Sequence, residues 1–320
     1  MPSPEAAAAA DLARWDTTAM ASMVALSVPG PRDRYDVTAR RALDVFAHVE
    51  QVCSRFGSTS ALVRCNARPR AWHRAPRTLV KAVAEARRAY RETGGAFDPR
   101  VHDRLVELGY RESFGRGPTA GPGEDRPVPE PAAAMGPWRP RAAARLGLLN
   151  LGGVRIDLGG IGKGLALRWA AEVVREATGN FLIEAGGDVV TSGSPGGGGW
   201  RIGVERPDGG QGPLAVLEVS GLAVATSSVR IRQWRAGGTT VHHLIDPRTG
   251  QPGGRGLLSV TVVGPDPAGA EVWSKGLFLA GADGIAGLAS ERGLAALWVE
   301  HGGVMSTSPA MDPYLLWVAP

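Results

Sequence analysis

Residues 155–174, RIDLGGIGKGLALRWAAEVV, predict a strand, a glycine turn and a helix in succession. Such a turn exposes backbone N–H groups at the positive end of a helix, where a phosphate group binds well. The segment is not a Walker A loop, because Asp157 stands where the first glycine should be and Gly164 where Ser or Thr must hold magnesium. It also lacks the spacing of a dinucleotide fingerprint. The pattern therefore indicates either an anion site or a glycine turn made for close packing.

Lysine is rare in this chain, so the position of each lysine is informative about function. The 320 residues include 36 Lys and Arg against 31 Asp and Glu, and the lysines are Lys81, Lys163 and Lys275. The arginine excess accompanies many Ala, Gly and Pro residues, which is typical of GC-rich coding rather than of selection for a ligand. With scattered arginines and no recognisable module, we expect no nucleic-acid partner. The position of Lys163 inside the glycine turn favours the anion site.

Composition places the chain among ordinary soluble globular proteins, with 43% hydrophobic and 21% charged residues. Cys53 and Cys65 are too few for a disulfide-dense scaffold or a structural zinc site, and leave room for one bridge. The N-terminus MPSPEAAAAADLARWD is acidic where a secretory signal is basic, and its apolar run is too short. No run of about 18 apolar residues occurs either. We expect a cytoplasmic protein that does not insert into a membrane.

The hydrophobic pattern predicts an α+β chain with mixed or antiparallel sheets and flanking helices. Helices are expected at residues 37–53, 78–93, 164–178 and 270–280. Strands are expected at residues 19–28, 154–158, 180–185, 189–192, 200–205, 214–219, 222–226, 257–263 and 295–300. We expect a flexible tail over residues 1–15, one domain over residues 16–320, and a flexible Pro/Gly-rich excursion within it at residues 112–145.

Three further segments carry residues suited to chemistry. Residues 181–193 lead an apolar strand into AGGD, which either forms a hairpin turn or lets the backbone approach a flat ligand. Residues 242–252, HHLIDPRTGQP, place two histidines before a proline turn, and turn chemistry alone does not account for them. Residues 270–281, AEVWSKGLFLAG, put Glu271 and Lys275 one helical turn apart, as in an exposed ion pair or a site.

In this order, the runs IDLGGIGKG, EAGGDV, ATSS, HLIDPRTGQP and AEVWSKGLFLAG resemble the FAD:protein FMN transferases of the ApbE type. In the first half, MAS at 20–22, SRFGSTSALVRCN at 54–66 and GGAFDPRVHDRLVELGY at 94–110 resemble elements of the same family. The resemblance covers about residues 16–320. It implies an ApbE-like flavin transferase fold with FAD in a cleft.

The resemblance also implies an activity and a set of site residues. Such enzymes transfer the FMN half of FAD to a Thr or Ser hydroxyl in a flavinylation motif of a target flavoprotein, and release AMP. The catalytic positions are His243 and Lys275. The positions implied for FAD binding are Met20, Phe56, Ala96, Phe97, Asp98, Asp157, Lys163, Gly186, Gly187, Thr226, His243 and Ile245.

A magnesium site is implied at the carbonyl of Gly160, at Glu271 and at the position of Lys275. An ammonium group cannot be a metal ligand. One hypothesis is that Lys275 takes the place of the metal and supplies a positive charge to the diphosphate. Another is that Lys275 has disabled transfer, leaving a flavin-binding carrier or regulator; a third function is hydrolysis of FAD by a pyrophosphatase. Arg168 is a second departure, since the family has an acid there.

Overall fold

An eight-stranded antiparallel sheet is the centre of the structure, a computed structural model that describes residues 12–112, 130–131 and 135–320. The helices are α1 (Asp36–Cys53), α2 (Ala61–Ala67), α3 (Arg77–Glu92), α4 (His102–Glu107), α5 (Gly162–Arg175) and α6 (Pro267–Glu291). The strands are β1 (Leu12–Ala19), β2 (Ser22–Pro29), β3 (His73–Arg74), β4 (Arg141–Ala143), β5 (Leu148–Asn150), β6 (Phe181–Ala185), β7 (Asp188–Ser192), β8 (Trp200–Glu205), β9 (Pro213–Val219), β10 (Ala223–Ser228), β11 (Gln233–Ala236), β12 (Thr239–His242), β13 (Ile245–Asp246), β14 (Gln251–Pro252), β15 (Leu257–Gly264), β16 (Ala295–Glu300), β17 (Met305–Thr307) and β18 (Leu315–Val318).

The strand order of the large sheet is β1-β2-β6-β7-β10-β15-β16-β17. Every pairing in it is antiparallel, and the register of β2 with β6 sets Val24 opposite Ala185. This register brings the β1–β2 turn beside the β6–β7 turn, because the N–H of Gly186 donates to the carbonyl of Met23 at 3.0 Å. A second sheet, β18-β9-β8, a small three-stranded sheet, β3-β5-β4, and the pairs β11-β12 and β13-β14 complete the strands of the described part of the chain.

Both faces of the large sheet are buried, which makes the fold three layers deep. Along β10 the alternation of a strand sends Ala223 and Ala225 towards the helices and Val224 towards the β8-β9-β18 sheet. The helix side holds the main core, where Phe46 of α1, Leu165 of α5 and Phe278 of α6 are fully buried. The predicted α+β class with antiparallel sheets and flanking helices is confirmed.

Helix α6 is longer than predicted and places two of the site residues. It begins at Pro267, where the Asp266 side chain accepts from the N–H of Gly269 at 2.9 Å and caps the first turn. Regular helix stops at Gly281, whose φ of 73° is left-handed, and resumes to Glu291. Helices α1 and α3 match their predicted spans to within one residue at each end.

The predicted flexible tail, residues 1–15, is too long. Strand β1 begins at Leu12, and Trp15 is buried with its indole N–H donating to Asp36 at 2.7 Å. The single strand predicted at 19–28 is the end of β1, a turn and β2. Residues 1–11 lie outside the described residues.

The flexible excursion predicted at 112–145 is also too long. Trp138 is buried and its indole N–H donates to the carbonyl of Leu151 at 2.9 Å, and β4 pairs with β5 from Arg141 onwards. Residues 113–129 and 132–134 of that segment lie outside the described part of the chain.

The strand predicted at 154–158 does not form. The backbone of Ile156 bonds to the side-chain amide of Asn66 through both its N–H and its carbonyl, at 3.0 and 2.9 Å. The N–H of Asp157 donates to the carbonyl of Pro99 at 2.7 Å. The backbone partners that a strand would find in a sheet are supplied here by a side chain and a loop.

Both cysteines are free thiols, so the bridge that the sequence allowed is absent. Burial raises the pKa of Cys53 to about 12, which keeps it protonated and unreactive. Within residues 12–112, 130–131 and 135–320, no helix combines the length and the apolar character needed to cross a membrane.

Candidate functional site

A cleft lies at the start of α5, between the β1–β2 turn, the end of α1 and the side of α6. Eleven of the predicted site residues line it: Met20, Phe56, Ala96, Phe97, Asp98, Asp157, Gly160, Lys163, His243, Ile245 and Lys275. The segments that supply them lie up to about 250 residues apart in the chain, so the fold brings the separate motifs together.

The glycine turn before α5 is held in shape by Asp157. Its Oδ1 atom accepts from the N–H of Gly159 at 2.6 Å, and its Oδ2 atom accepts from Nε of Arg55 at 2.7 Å. The start of α5 has no side-chain cap at Ile161, but the N–H of Gly164 donates to Oε2 of Glu271 at 2.8 Å. A carboxylate from α6 therefore satisfies one of the free N–H groups of the first turn of α5.

Lys163, in that first turn, is tied to the wall of the cleft by Asp188. The two side chains form an ion pair, and both are largely buried. The other oxygen of Asp188 accepts from the N–H of Thr226 at 3.1 Å. Neighbouring strands thus fix the carboxylate, and the carboxylate positions the ammonium.

Three predicted FAD-binding residues do not line the cleft: Gly186, Gly187 and Thr226. The two glycines form the tight turn of the β6–β7 hairpin, with φ values of 57° and 88° that suit glycine. The turn interpretation of AGGD is therefore confirmed. These residues position Asp188, which follows the turn, and Thr226 holds its carboxylate.

Lys275 and Glu271 lie together on α6, as their spacing predicts. The Lys275 ammonium lies 3.3 Å from Oε1 and 3.2 Å from the backbone carbonyl of Glu271. Glu271 is buried with 1% of its side chain exposed, whereas 17% of the Lys275 side chain is exposed. Burial lowers the pKa of Lys275 below 10.5, and the carboxylates of Glu271 and Asp188 oppose that shift.

The residues at the implied magnesium position do not fit a magnesium ion. Magnesium requires several oxygen ligands, and Lys275 contributes donors only. Both oxygens of Glu271 are already engaged, one by the N–H of Gly164 and the other by the Lys275 ammonium. No group of three His, Cys, Asp or Glu side chains suited to a metal occurs in the described residues.

His243 lies on the cleft wall and is neutral at pH 7. Burial lowers its pKa well below 6.5, and the charges of Arg232 and Lys275 add to the shift. Its Nδ1 atom lies 3.3 Å from the carbonyl of Arg232. If Nδ1 carries the proton and donates to that carbonyl, the lone pair is on Nε2, where it can accept a proton.

Aromatic rings form one side of the cleft. The Phe56 and Tyr110 ring centroids are 5.6 Å apart, and the Arg55 guanidinium lies 4.0 Å from the first centroid and 4.6 Å from the second. Arg55 also donates to the carbonyl of Tyr110 at 2.7 Å. Sequence reasoning found Phe56 and missed Arg55, because its partner Asp157 is 102 residues away.

Two further charged residues have structural partners. The Asp98 carboxylate, predicted to bind FAD, lines the cleft but is occupied by Arg100, which donates to both oxygens at distances down to 2.6 Å. Arg168 pairs with Asp266 and Glu85 at 2.6 and 2.7 Å. It ties α5 to the start of α6 and to α3, and it does not line the cleft.

We expect His242, next to the cleft, to make stability depend on pH. Burial lowers its pKa from 6.5 to about 4. Between these two pH values the unfolded chain binds a proton at His242 and the folded protein does not. Its contribution is complete above about pH 6.5 and is lost towards pH 4, with about 2 kcal/mol gone by about pH 5. Urea unfolding near pH 7.5 and pH 5 should show that His242→Gln loses about 2 kcal/mol less than the native chain over that interval. His48→Gln, on an exposed face of α1, should keep the native pH dependence, and equal losses in all three proteins would contradict the assignment.

The structure is similar to solved structures of ApbE proteins. The ApbE protein of Thermotoga maritima matches with a TM-score of 0.79 and 25% identity, over 95% of this chain and 99% of that one. The flavinyl transferase ApbE of Pseudomonas stutzeri matches with a TM-score of 0.74 and 23% identity, over 95% of this chain and 98% of that one. The architecture is therefore the flavin transferase fold.

The chain belongs to the ApbE family, whose sequence pattern matches residues 16–298. The FAD:protein FMN transferase of Klebsiella pneumoniae is 28% identical over 288 residues, which are 85% of this chain and 77% of that protein. The FAD:protein FMN transferase of Haemophilus influenzae is 30% identical over 250 residues, 72% of this chain and 69% of that protein. The family resemblance predicted from the motifs is confirmed.

Proposed function

We propose that this protein is an FAD:protein FMN transferase, which moves the FMN half of FAD onto a hydroxyl group of a target flavoprotein and releases AMP. The observation that carries the proposal is that Lys163, Lys275 and the Phe56 ring line the same cleft at the start of α5. Relatives 28% and 30% identical bear this activity by name. A ligand with a flat ring and a diphosphate suits such a lining.

The flavin and the diphosphate of FAD would use different parts of the cleft. The flavin ring stacks against the aromatic side, where Phe56 and Tyr110 stand. The diphosphate lies at the glycine turn, within reach of Lys163 and Lys275. The apolar contacts to the rest of FAD come from Met20, Ala96, Phe97 and Ile245.

Residues that do not line the cleft help to position the groups that bind the diphosphate. Gly186, Gly187 and Thr226 hold Asp188, and Asp188 holds Lys163. In the same way Asp157 keeps the glycine turn in shape. We assign these residues to positioning the diphosphate-binding groups, with Lys163 touching the ligand itself.

The chemistry is a displacement at the phosphorus of the FMN half. The oxygen of a Thr or Ser hydroxyl forms a bond to that phosphorus, and the bond from the phosphorus to the bridging oxygen breaks, so that AMP leaves with the bridging oxygen. The hydroxyl proton goes to Nε2 of His243, which is neutral and has a free lone pair in the tautomer described above. Magnesium has no step in this scheme, because the residues present do not fit it.

The acceptor is proposed to be a flavoprotein with a Thr or Ser flavinylation motif that can reach the open cleft. Arg232 lines the cleft together with His243, whose Nδ1 atom lies 3.3 Å from the Arg232 carbonyl. The cytoplasmic location remains a prediction from the sequence.

The test is incubation of the full chain with FAD and an acceptor domain that carries a flavinylation threonine. We expect release of AMP and an acceptor whose intact mass rises by one FMN. His243→Asn should lower the transfer rate by about 100-fold, because a positioned acid or base contributes about that much, while FAD binding persists. His48→Asn is the exposed control and should transfer FMN at the native rate. FAD binding without AMP release would identify a flavin carrier, and AMP with free FMN would identify a pyrophosphatase; either result overturns the proposal.

A further inference from the structure

Helix α6 places one positive charge, the Lys275 ammonium, close to the glycine turn. The Lys275 stem passes directly beside Gly160, because a Cβ on that residue would lie 3.4 Å from Cδ and 3.5 Å from Cε of Lys275. The side chain is largely buried, and its end is among the cleft-lining groups. A cation is therefore built into the floor of the cleft at the turn.

Glu271 holds this cation in place. One of its oxygens is bound to the N–H of Gly164 in α5 and the other lies against Lys275, so the carboxylate ties the two helices and the lysine together. Because the carboxylate is buried, removal of the Lys275 charge would leave it without a counter-ion. The Glu271 and Lys275 side chains therefore work as one unit.

The Lys275 ammonium can donate a further hydrogen bond to a ligand. A lysine ammonium carries three donors, and the structure gives Lys275 two contacts, both with Glu271 and both long, at 3.2 and 3.3 Å. A phosphate oxygen offers a stronger, charge-assisted bond to such a group. Lys163 stands on the first turn of α5, so an anion at the turn would lie within reach of two ammonium groups.

We infer that this chain binds the diphosphate of its ligand without a divalent cation, using the Lys275 ammonium, anchored by Glu271, as the resident positive charge. This inference rests on the proposed function for the identity of the ligand, FAD. It separates this chain from a protein in which the same helix turn would present oxygen ligands to a metal.

The test measures FAD affinity by flavin fluorescence in excess EDTA and in millimolar Mg²⁺. We expect native affinities that agree within about twofold, because no magnesium site is present to couple with FAD. Lys275→Gln should weaken FAD binding by about tenfold or more in both solutions, the effect of losing one charged hydrogen bond. Lys81→Gln, which removes the exposed lysine of α3, is the matched control and should bind FAD like the native chain.

A second variant keeps the inference testable if Lys275→Gln does not fold. In Glu271→Asp/Lys275→Thr the same helix turn presents oxygen ligands, so Mg²⁺ should strengthen its FAD binding by about tenfold or more. The inference is overturned if Mg²⁺ strengthens FAD binding by the native chain to that extent, or if a folded Lys275→Gln binds FAD normally.

Transfer measurements distinguish this inference from the proposed function. Transfer by the native chain in EDTA supports both. Tight FAD binding in EDTA with no AMP release in either solution supports the metal-free site and contradicts the proposed function. Transfer that requires Mg²⁺ supports the function and contradicts the metal-free site.

Discussion

Replacing Gly164 with alanine is expected to destabilise the protein by about 3 kcal/mol and to weaken FAD binding. A Cβ on Gly164 would lie 2.5 Å from Cα of Ala268, 2.6 Å from the carbonyl oxygen of Pro267 and 2.8 Å from the N atom of Ala268. These are backbone atoms at the start of α6, so no side-chain rotation can relieve the contact. The two helices have to move apart.

This displacement reaches the cleft because Gly164 is also the donor to Glu271. As α5 moves, its first turn carries Lys163 away from Lys275, so stability and FAD affinity should fall together. Urea unfolding and flavin fluorescence measure the two effects. Gly287→Ala in α6 is the matched control, since nothing lies within 4 Å of its Cβ position, and it should gain up to about 1 kcal/mol from helix propensity. Similar effects of the two substitutions would show that α5 and α6 do not approach as closely as described.

The parts of the fold that depend on local periodicity were predictable. Helix α1 repeats apolar residues at helical spacing, and its stripe of Ala42, Phe46 and Val49 is buried. The β6–β7 turn follows from its two glycines. The 154–158 segment was misassigned because its apolar and charged residues alternate as in a strand. The distant side chain of Asn66 takes up the backbone hydrogen bonds of Ile156 instead.

In the candidate site, too, local motifs were predictable and contacts between distant segments were not. Motif comparison identified Phe56, Lys163 and His243, and the fold brings them to one cleft. It placed Thr226 against FAD, whereas Thr226 supports Asp188 through a backbone hydrogen bond. Such indirect roles follow from strand register, which a motif of a few residues does not specify. The partner of Arg55 was beyond prediction because Asp157 is 102 residues away in the chain.

The Arg55–Asp157 pair is expected to be strongly coupled. The two side chains are 3% and 11% exposed, and their N and O atoms are 2.7 Å apart. Asp157→Asn leaves the Arg55 guanidinium buried without a counter-ion, and Arg55→Met leaves the carboxylate likewise. Either change should cost about 3–5 kcal/mol of stability.

The double variant should cost clearly less than the sum of the two single variants, by about 2 kcal/mol or more, because no buried charge is left alone. FAD binding should stay weak even then, since the double variant lacks the carboxylate that accepts from Gly159 N–H and from Arg55. The Arg255–Asp283 pair, with side chains 92% and 89% exposed, is the matched control and should show no measurable coupling. If the buried pair is as weakly coupled as the exposed one, water reaches Asp157 freely, and the shape of the turn must come from its backbone bonds alone.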